Sequence, residues 1–154
     1  MTTFDFGYGP VPAHQHPRGG GWVADTARVE DSAYIGPSAQ VYGDAWVYGS
    51  AQVTGDAWVS GNARVYGDAW VYGSAQVTGN AKLAKSSDYL LIGPIGSRAD
   101  FMTWTRSDNC IATGCFRGTV KEFLLAVRET HGDNEHAQAY RAAVEFIRAM
   151  EKLA

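Results

Sequence analysis

Alanine stands at every sixth position from Ala27 to Ala81, and each of these alanines is followed two residues later by Val, Ile or Leu. Gly21 and Val23 extend the pattern backward by one unit, and no insertion interrupts it. A period of six matches neither an α-helix nor the simple alternation of a strand. It is typical of a parallel β-helix, in which each hexad supplies one short wall strand and one corner. The repeat therefore predicts the architecture of residues 21–84.

The unit from Val41 to Trp46 shows how each position of the hexad is used. The aliphatic residue must point inward, because three walls enclose a narrow core that stacked branched side chains fill well. Alanine is the second inward residue, and Gly followed by Asp, Ser or Asn forms the corner, since glycine tolerates positive φ. Three hexads make one coil, so residues eighteen apart lie above one another. Eleven units predict slightly fewer than four coils, about 15–20 Å tall at normal strand spacing.

The outward residues fall into three predicted vertical stacks. These are Trp22, Gln40, Trp58 and Gln76 on one wall, Arg28, Trp46, Arg64 and Lys82 on the next, and Tyr34, Gln52 and Trp70 on the third. Cation–π contacts are expected where Trp46 lies between Arg28 and Arg64, and Tyr48 is expected to stack on Tyr66.

The exposed aromatic area of these walls favours a homo-oligomer. A trimer is expected first, because triangular prisms associate around a threefold axis. The candidate interface residues are Trp46, Trp58, Trp70, Tyr48 and Tyr66. The alternative interpretation is that these rings only cover their own walls.

The repeat resembles the hexapeptide-repeat family of left-handed β-helices. Glycine here stands two positions after the aliphatic residue, as in the Ala-x-Val-x-Gly-Asn/Asp arrays of bacterial and phage proteins. Residues 96–98, 114–119 and 130–134 resemble a C-terminal module of phage-encoded hexapeptide-repeat proteins, and residues 9–14 and 19–25 resemble another phage-associated segment. The resemblance implies a left-handed coil and a phage protein, and it transfers no catalytic residue.

Composition divides the chain into a capping segment (1–20), the repeat (21–84) and a C-terminal unit (85–154). The capping segment is rich in Gly and Pro, which predicts no regular structure, and its aromatic residues predict a lid over the first coil. His14 and His16 alternate as metal ligands on a strand do; capping or ordinary exposure is the alternative.

Charge, hydropathy and cysteine content limit the expected partners and location. The repeat holds six acids against three bases and the C-terminal unit nine of each, so no basic stripe predicts nucleic-acid binding. We expect no membrane contact and cytoplasmic residence, in the host cell if the protein is phage-encoded, because bilayer-spanning and signal-peptide patterns are missing. Cys110 and Cys115 are expected to be reduced thiols. With His131 and Asp133 they lack zinc-site spacing, so neither metal nor cofactor is expected.

The C-terminal unit predicts a small α+β domain. A strand is expected at 89–92, a turn at 93–96 and a β-hairpin from 101–105 and 110–116. Thr119 and Glu122 form a capping box that starts a first helix, which ends at Gly132. Asp133 is the expected N-cap of a second helix. The predicted fold class is therefore mostly β, a short left-handed parallel β-helix followed by a β-hairpin and two helices.

An anion site is predicted at the start of the first helix. Free backbone N–H groups and the helix dipole favour a phosphate or carboxylate there, and Arg98 with a threonine of the hairpin would converge on it. The candidate ligand-binding residues are Arg98, Thr103, Thr105, Arg117, Gly118, Thr119 and His131. In the alternative interpretation Thr119 only caps its helix, Arg117 only meets Glu122 or solvent, and His131 only completes the helix C-terminus.

Four functions are considered as hypotheses. Acyltransferases of the hexapeptide family use a histidine base on the coil or on an extruded loop, but no histidine lies between Val23 and Leu83 and no loop interrupts the register. An acid–base pair of His131 and Asp133 would support another enzyme, yet no nucleophile accompanies it. The sequence therefore favours a non-enzymatic phage-type oligomer that sequesters a small anionic, nucleotide-like host signalling ligand and so evades host defence. A virion-associated protein-interaction scaffold is the alternative.

Overall fold

The computed structural model describes residues 2–114 and 116–153. A hairpin of β1 (Thr3–Asp5) and β2 (Pro10–Gln15) precedes the repeat. The eleven hexads form β3 (Trp22–Ala24), β4 (Arg28–Val29), β5 (Tyr34–Ile35), β6 (Gln40–Val41), β7 (Trp46–Val47), β8 (Gln52–Val53), β9 (Trp58–Val59), β10 (Arg64–Val65), β11 (Trp70–Val71), β12 (Gln76–Val77) and β13 (Lys82–Leu83).

Strands three hexads apart pair in parallel and build three walls. The first wall is β3-β6-β9-β12, the second β4-β7-β10-β13 and the third β5-β8-β11. Each pair joins residues eighteen apart, as in Gln40 with Trp58 and Trp46 with Arg64. The predicted β-helix and its three outward stacks are confirmed.

The interior of the β-helix is filled by the two inward residues of each hexad. The alanines from Ala33 to Ala81 and the aliphatic residues from Ile35 to Leu83 are at most 1% exposed. Together with Val23 they form one continuous core that ends against Tyr89. Since each buried valine contributes about 1.5–3 kcal/mol, this core supplies much of the stability of the coil.

The capping segment contains regular structure, so the prediction of an irregular segment is wrong. β1 pairs antiparallel with β2, and β2 pairs antiparallel with β3. The hairpin continues the first wall and covers its edge strand, which would otherwise expose unpaired N–H and C=O groups. Phe4 stacks on Trp22 with ring centroids 4.8 Å apart, and Phe6 stacks on Tyr42 at 5.0 Å.

A loop closes the other walls at the same end of the β-helix. Ile35 N–H donates to Arg18 O over 2.9 Å, and Gly21 N–H donates to Ile35 O over 3.0 Å. His16 is 3% exposed; its Nδ1 accepts from Arg18 N–H, and its Nε2 lies 3.0 Å from Glu30 O. Nδ1 lies 3.1 Å from Arg18 O as well, so both ring nitrogens contact the backbone of the cap. These contacts support the capping interpretation of His16.

Three side-chain hydroxyls close the last coil. Inside the repeat, the first N–H of each strand donates to an alanine carbonyl of the next coil, as Trp58 N–H does to Ala75 O over 2.9 Å. On the last coil, Trp70 N–H donates to Ser86 Oγ (3.2 Å), Gln76 N–H to Thr103 Oγ1 (2.9 Å) and Lys82 N–H to Ser107 Oγ (2.8 Å). One hydroxyl on each wall thus takes the place of the alanine carbonyl that a further coil would supply. These hydrogen bonds also show that the C-terminal unit packs on the β-helix of its own chain.

Thr103→Val is expected to destabilise the protein by about 1–3 kcal/mol, because it removes the hydroxyl that accepts the N–H of the half-buried Gln76 while keeping the side-chain volume. Urea unfolding measures the loss. Amide hydrogen exchange at Gln76 provides the specific readout and should become faster in this variant. Thr103→Ser, which keeps the hydroxyl, should leave that exchange slow; equal exchange in both variants would contradict the capping role.

The C-terminal unit is a four-stranded antiparallel meander with two helices. After a short 3₁₀ helix (Ser86–Asp88) it contains β14 (Tyr89–Ile95), β15 (Asp100–Thr105), β16 (Cys110–Thr113), β17 (Phe116–Thr119), α1 (Val120–His131) and α2 (Glu135–Glu151). Met102, Trp104 and Ile111 of the sheet pack with Phe123 of α1 and Ile147 of α2. The β-strands and both predicted helices are confirmed in type and order.

Three local predictions in this unit differ from the structure. β14 continues through the predicted turn at 93–96 as far as Ile95, because it pairs along β15. Residues 116–119 form a fourth strand, β17, which pairs with β16. The N-cap of α2 is Asn134, whose side chain accepts from Ala137 N–H over 3.0 Å, whereas Asp133 forms an ion pair with Arg141. Among the described helices, none is both long and apolar enough to cross a membrane.

Candidate functional site

The C-terminal sheet places the predicted ligand-binding residues on two different faces. Thr103 and Thr105 are 1% and 4% exposed and lie at the junction with the β-helix. Thr103 accepts the N–H of Gln76, and Thr105 Oγ1 donates to Asp108 over 2.6 Å. Both hydroxyls therefore form hydrogen bonds within the protein. The prediction that Arg98 and these threonines meet at one anion site is wrong.

Arg117 also belongs to the junction. Its guanidinium fills the space that a Cβ would need at Gly79, the last corner glycine of the repeat. It lies 3.8 Å from the Asp108 carboxylate. Because side chains alternate along a strand, Arg117 faces the β-helix while its neighbour Phe116 faces the helices. Arg117 thus packs the two parts of the chain together, away from Arg98.

The start of α1 is closed by its own capping box. Thr119 Oγ1 accepts from Glu122 N–H over 3.2 Å, and Glu122 Oε1 accepts from Thr119 N–H over 3.0 Å. The N–H of Thr119 holds the pKa of Glu122 below its usual value. Gly118 is buried against Phe116 and Glu122. With these donors occupied and a carboxylate present, the contacts support the capping interpretation of Thr119.

Arg98 and His131 line a cavity of about 240 Å³ on the helix-facing side of the sheet. Its floor is aromatic: Phe116 and Phe123 meet edge to face at 5.4 Å, and Phe123 and Tyr140 meet edge to face at 5.3 Å. The polar groups of the rim are Ser97, Arg98, Asp100, Thr113, Thr130 and His131. The cavity therefore combines a flat apolar surface with groups that recognise charge.

Two polar groups of this cavity bond within the protein: Thr113 Oγ1 donates to Phe101 O, and Asp100 Oδ1 accepts from Phe101 N–H. Arg98 and Tyr140 are the groups that we consider for a ligand. Within residues 2–114 and 116–153, Arg98 forms no salt bridge, and its guanidinium extends over Gly114. Burial raises the pKa of Tyr140, Asp100 raises it further, and Arg98 opposes both effects. The Tyr140 phenol is therefore protonated near neutral pH and can donate a hydrogen bond. An exposed guanidinium beside such a donor suits an anionic group.

The structure gives no support to an acid–base pair of His131 and Asp133. The Asp133 carboxylate lies 3.0 Å from Arg141, whereas the neighbours of the His131 ring are the rings of His136 and Tyr140, with centroids 5.5 and 5.9 Å away. In the described part of the chain, no three residues of the metal-binding types cluster. Cys115 lies outside the described residues, so the alternatives that involve it stay predictions.

Burial raises the pKa of the Cys110 thiol, and the nearby Asp108 carboxylate raises it further. A thiol in such surroundings is a poor nucleophile at neutral pH, because it is the thiolate that reacts.

The outward aromatic residues divide into covered and exposed rings. Trp46 lies between Arg28 and Arg64, with ring-to-guanidinium distances of 5.9 and 5.4 Å, and Tyr48 stacks on Tyr66 at 5.0 Å. These predicted contacts are confirmed, and they show rings covering their own wall. Trp58 and Trp70 are 36% and 49% exposed. Self-association through the aromatic walls stays a prediction, now best placed on these last two residues.

Sequence reasoning missed the aromatic floor of the cavity. Phe116, Phe123 and Tyr140 are not among the candidate ligand-binding residues that the sequence indicates. The available signal was the helical spacing that places Tyr140 on the apolar stripe, one turn before Val144. That spacing does not show which turn of the sheet lies beside Tyr140. The sequence therefore could not predict that Arg98 and Tyr140 lie in the same cavity.

Comparison with known proteins agrees with the structure of the repeat. A family model described as the YdcK beta solenoid repeat matches residues 39–55 and 57–73. No curated protein and no solved structure gives a significant match to the chain. The two matched segments lie inside the walls formed by β6 to β11. The chain is therefore a β-solenoid repeat protein that carries a small unit of one sheet and two helices on its last coil.

Proposed function

We propose that this protein is a non-enzymatic binding protein for a small anion with a planar, nucleotide-like part. The observation that carries the proposal is the exposed Arg98 guanidinium, which forms no salt bridge within residues 2–114 and 116–153 and lies beside three aromatic rings in a cavity of about 240 Å³. Small-molecule sites typically measure about 300–1,000 Å³. A cavity just below that range suits a ligand no larger than a mononucleotide.

Each part of the cavity recognises one part of such a ligand. Arg98 offers a planar fork that binds phosphate or carboxylate in a bidentate manner. His131 and the Tyr140 phenol add donors on the same rim. Phe116 and Phe123 provide apolar ring surface for a base or another planar group. Ser97 and His131 both line the cavity, but within the described residues no hydrogen bond joins them. We therefore propose sequestration rather than turnover.

The β-helix supports this site as a rigid base. Both of its ends are capped within the chain, by the N-terminal hairpin and by the hydroxyls of the C-terminal unit. The exposed Trp58 and Trp70 are the surfaces through which we propose that copies associate, with a trimer first. In a phage-encoded protein, an oligomer of this kind would withdraw a host signalling nucleotide from its receptor in the host cytoplasm.

Calorimetric titration of the full-length protein with inorganic phosphate, linear mononucleotides and cyclic nucleotides tests the proposal. At least one nucleotide is expected to bind, and Arg98→Ala should weaken it about tenfold or more, since a hydrogen bond to a charged group is worth about 1.5–3 kcal/mol. Arg117→Ala and Arg64→Ala are the matched controls and should keep the affinity. If no compound binds, or if Arg98→Ala binds as tightly as the wild type, the proposed site is wrong. Loss of binding only in Arg117→Ala would instead place the ligand site at the junction between the β-helix and the C-terminal sheet.

A further inference from the structure

A second concavity, a groove of about 690 Å³, runs between α1 and α2. From α1 it is lined by Lys121, Leu124, Leu125 and Arg128, which stand at the i, i+3, i+4, i+7 spacing of one helix face. Leu124 is half-buried and also packs against the core of the C-terminal unit, whereas Lys121, Leu125 and Arg128 are exposed. Leu125 is 54% exposed. The groove shares no lining residue with the Arg98 cavity.

The second helix presents the same pattern to the groove. Its lining residues are Arg141, Val144, Glu145 and Arg148, again at i, i+3, i+4 and i+7. Arg141 pairs with the highly exposed Asp133, and Arg148 pairs with Glu145 of its own helix. Such exposed pairs contribute little and exchange readily with other carboxylates. Arg141 also donates to Gly132 O over 2.7 Å. The Arg141 and Arg148 side chains are 40% and 50% exposed, so each keeps N–H groups that an incoming acidic group can reach.

The charges of the groove are arranged at its two ends. Residues 132–134 form a short connection that turns the chain back, so α1 and α2 run antiparallel. Lys121 consequently lies at the same end as Arg148, and Arg128 lies at the same end as Arg141. Within the described residues, neither Lys121 nor Arg128 has an ion-pair partner. The groove thus holds four cations against two carboxylates, and its accessible apolar surface comes from Leu125 and the half-buried Leu124, since Val144 is fully buried.

We infer that this groove binds an acidic amphipathic helix of a partner protein. Cations seven residues apart on one helix are about 10 Å apart along its axis. A partner helix with apolar residues at i, i+3 or i+4 and i+7 packs on the apolar surface of the groove, and Asp or Glu residues flanking that stripe meet a cation pair at each end. The chain as a whole carries a formal charge of −3. That charge disfavours a long anionic polymer or an anionic lipid surface but not a short acidic segment.

Fluorescence anisotropy tests this inference with the full-length protein and one designed probe. The probe is a fluorescein-labelled helical peptide of about four turns, with leucines at the groove spacing and glutamates flanking them. Wild-type protein is expected to bind it, and rising NaCl is expected to weaken the complex. The double variant Lys121→Glu, Arg128→Glu should bind about tenfold more weakly or worse, and Leu125→Asp should weaken binding as well. Lys152→Glu, an exposed charge reversal outside the groove, should bind as the wild type does.

Circular dichroism of each variant verifies folding before binding is compared. A peptide with lysines in place of the glutamates should not bind. Equal binding of that peptide, unchanged binding by the double variant, or no binding of the acidic peptide to the wild type would overturn the inference. So would binding of phosphatidylserine vesicles or duplex DNA that depends on Lys121 and Arg128 while the acidic peptide stays unbound. Calorimetry with Arg98→Ala is independent of these outcomes, because the two concavities have no residue in common.

Discussion

Val53→Asp is expected to leave the protein unfolded, whereas Gln52→Asp, its neighbour on the same strand, is expected to leave it folded. Val53 is fully buried and stacks between Ile35 and Val71 on the third wall. The core around it contains only aliphatic side chains, so an aspartate there has no partner, and burying it costs about 5 kcal/mol or more. Domains are stable by only about 5–15 kcal/mol. Gln52 points outward and is exposed, so the same carboxylate stays hydrated there.

Far-UV circular dichroism and urea unfolding compare the two aspartate variants directly. The expected result is loss of the cooperative transition for Val53→Asp and a transition within about 1 kcal/mol of the wild type for Gln52→Asp. Equal destabilisation by both substitutions would mean that side chains do not alternate between core and solvent along the hexad. A folded Val53→Asp variant would contradict the sealed core.

Gly61→Ala is expected to destabilise the protein by about 2–4 kcal/mol, through left-handed backbone strain and an overlap that cannot relax. Gly61 has φ +64°, and a Cβ added there would lie 2.9 Å from Gly79 N of the next coil. The contact is with backbone that is held in place, since Gly79 O accepts the N–H of Asn62 over 2.8 Å. Corner glycines therefore let coils stack at strand spacing.

Gly20→Ala provides the matched control for the corner. Gly20 has φ +80°, and nothing lies within 4 Å of the position its Cβ would take. Strain alone predicts a loss of about 1–2 kcal/mol there. Urea unfolding of both variants gives the difference, which measures the stacking contact. Equal losses at the two sites would show that backbone strain, and not coil spacing, selects glycine in the corners.

The β-helix could be predicted from sequence because every coil repeats the same physical requirement. An inward Val or Ala, an outward residue and a corner glycine recur with no insertion, so the eighteen-residue stacking follows from counting. That counting alone places Arg28, Trp46 and Arg64 in one stack, and the structure shows the two cation–π contacts there. Errors in the predicted stacking do not accumulate along such a repeat, since the position of each coil follows from the coil before it.

The N-terminal hairpin could not be predicted in the same way. Its Gly and Pro content indicates irregular structure, and Gly7 and Gly9 both adopt φ +108° in the hairpin turn. The regular pairing comes from a tertiary requirement: β3 is an edge strand, and β2 satisfies its free backbone groups. The local composition of the segment does not show that β3 needs a pairing partner.

The candidate site was predicted only in part, because its residues depend on strand register and strand count. Arg98 and His131 do line one cavity. Residues 116–119 form an unexpected fourth strand, and its alternation sends Arg117 to the face opposite Phe116. Thr103 and Thr105 lie on that same junction face of β15. A shift of one residue in strand register would exchange the residues that face the β-helix with those that face the helices. Nothing in the local sequence determines that register.

Deletion of one whole coil tests the central claim most directly. Removing residues 48–65 takes out eighteen residues, joins Val47 to Tyr66, and keeps both caps and the C-terminal unit in phase with the remaining hexads. Thermal unfolding followed by circular dichroism should show a folded protein with one cooperative transition at a lower temperature, since less core is buried. Removing residues 48–56 deletes half as much but shifts the hexad by three positions, and that variant should be unfolded. If the shorter deletion folds and the longer one does not, the repeat is not a stack of eighteen-residue coils.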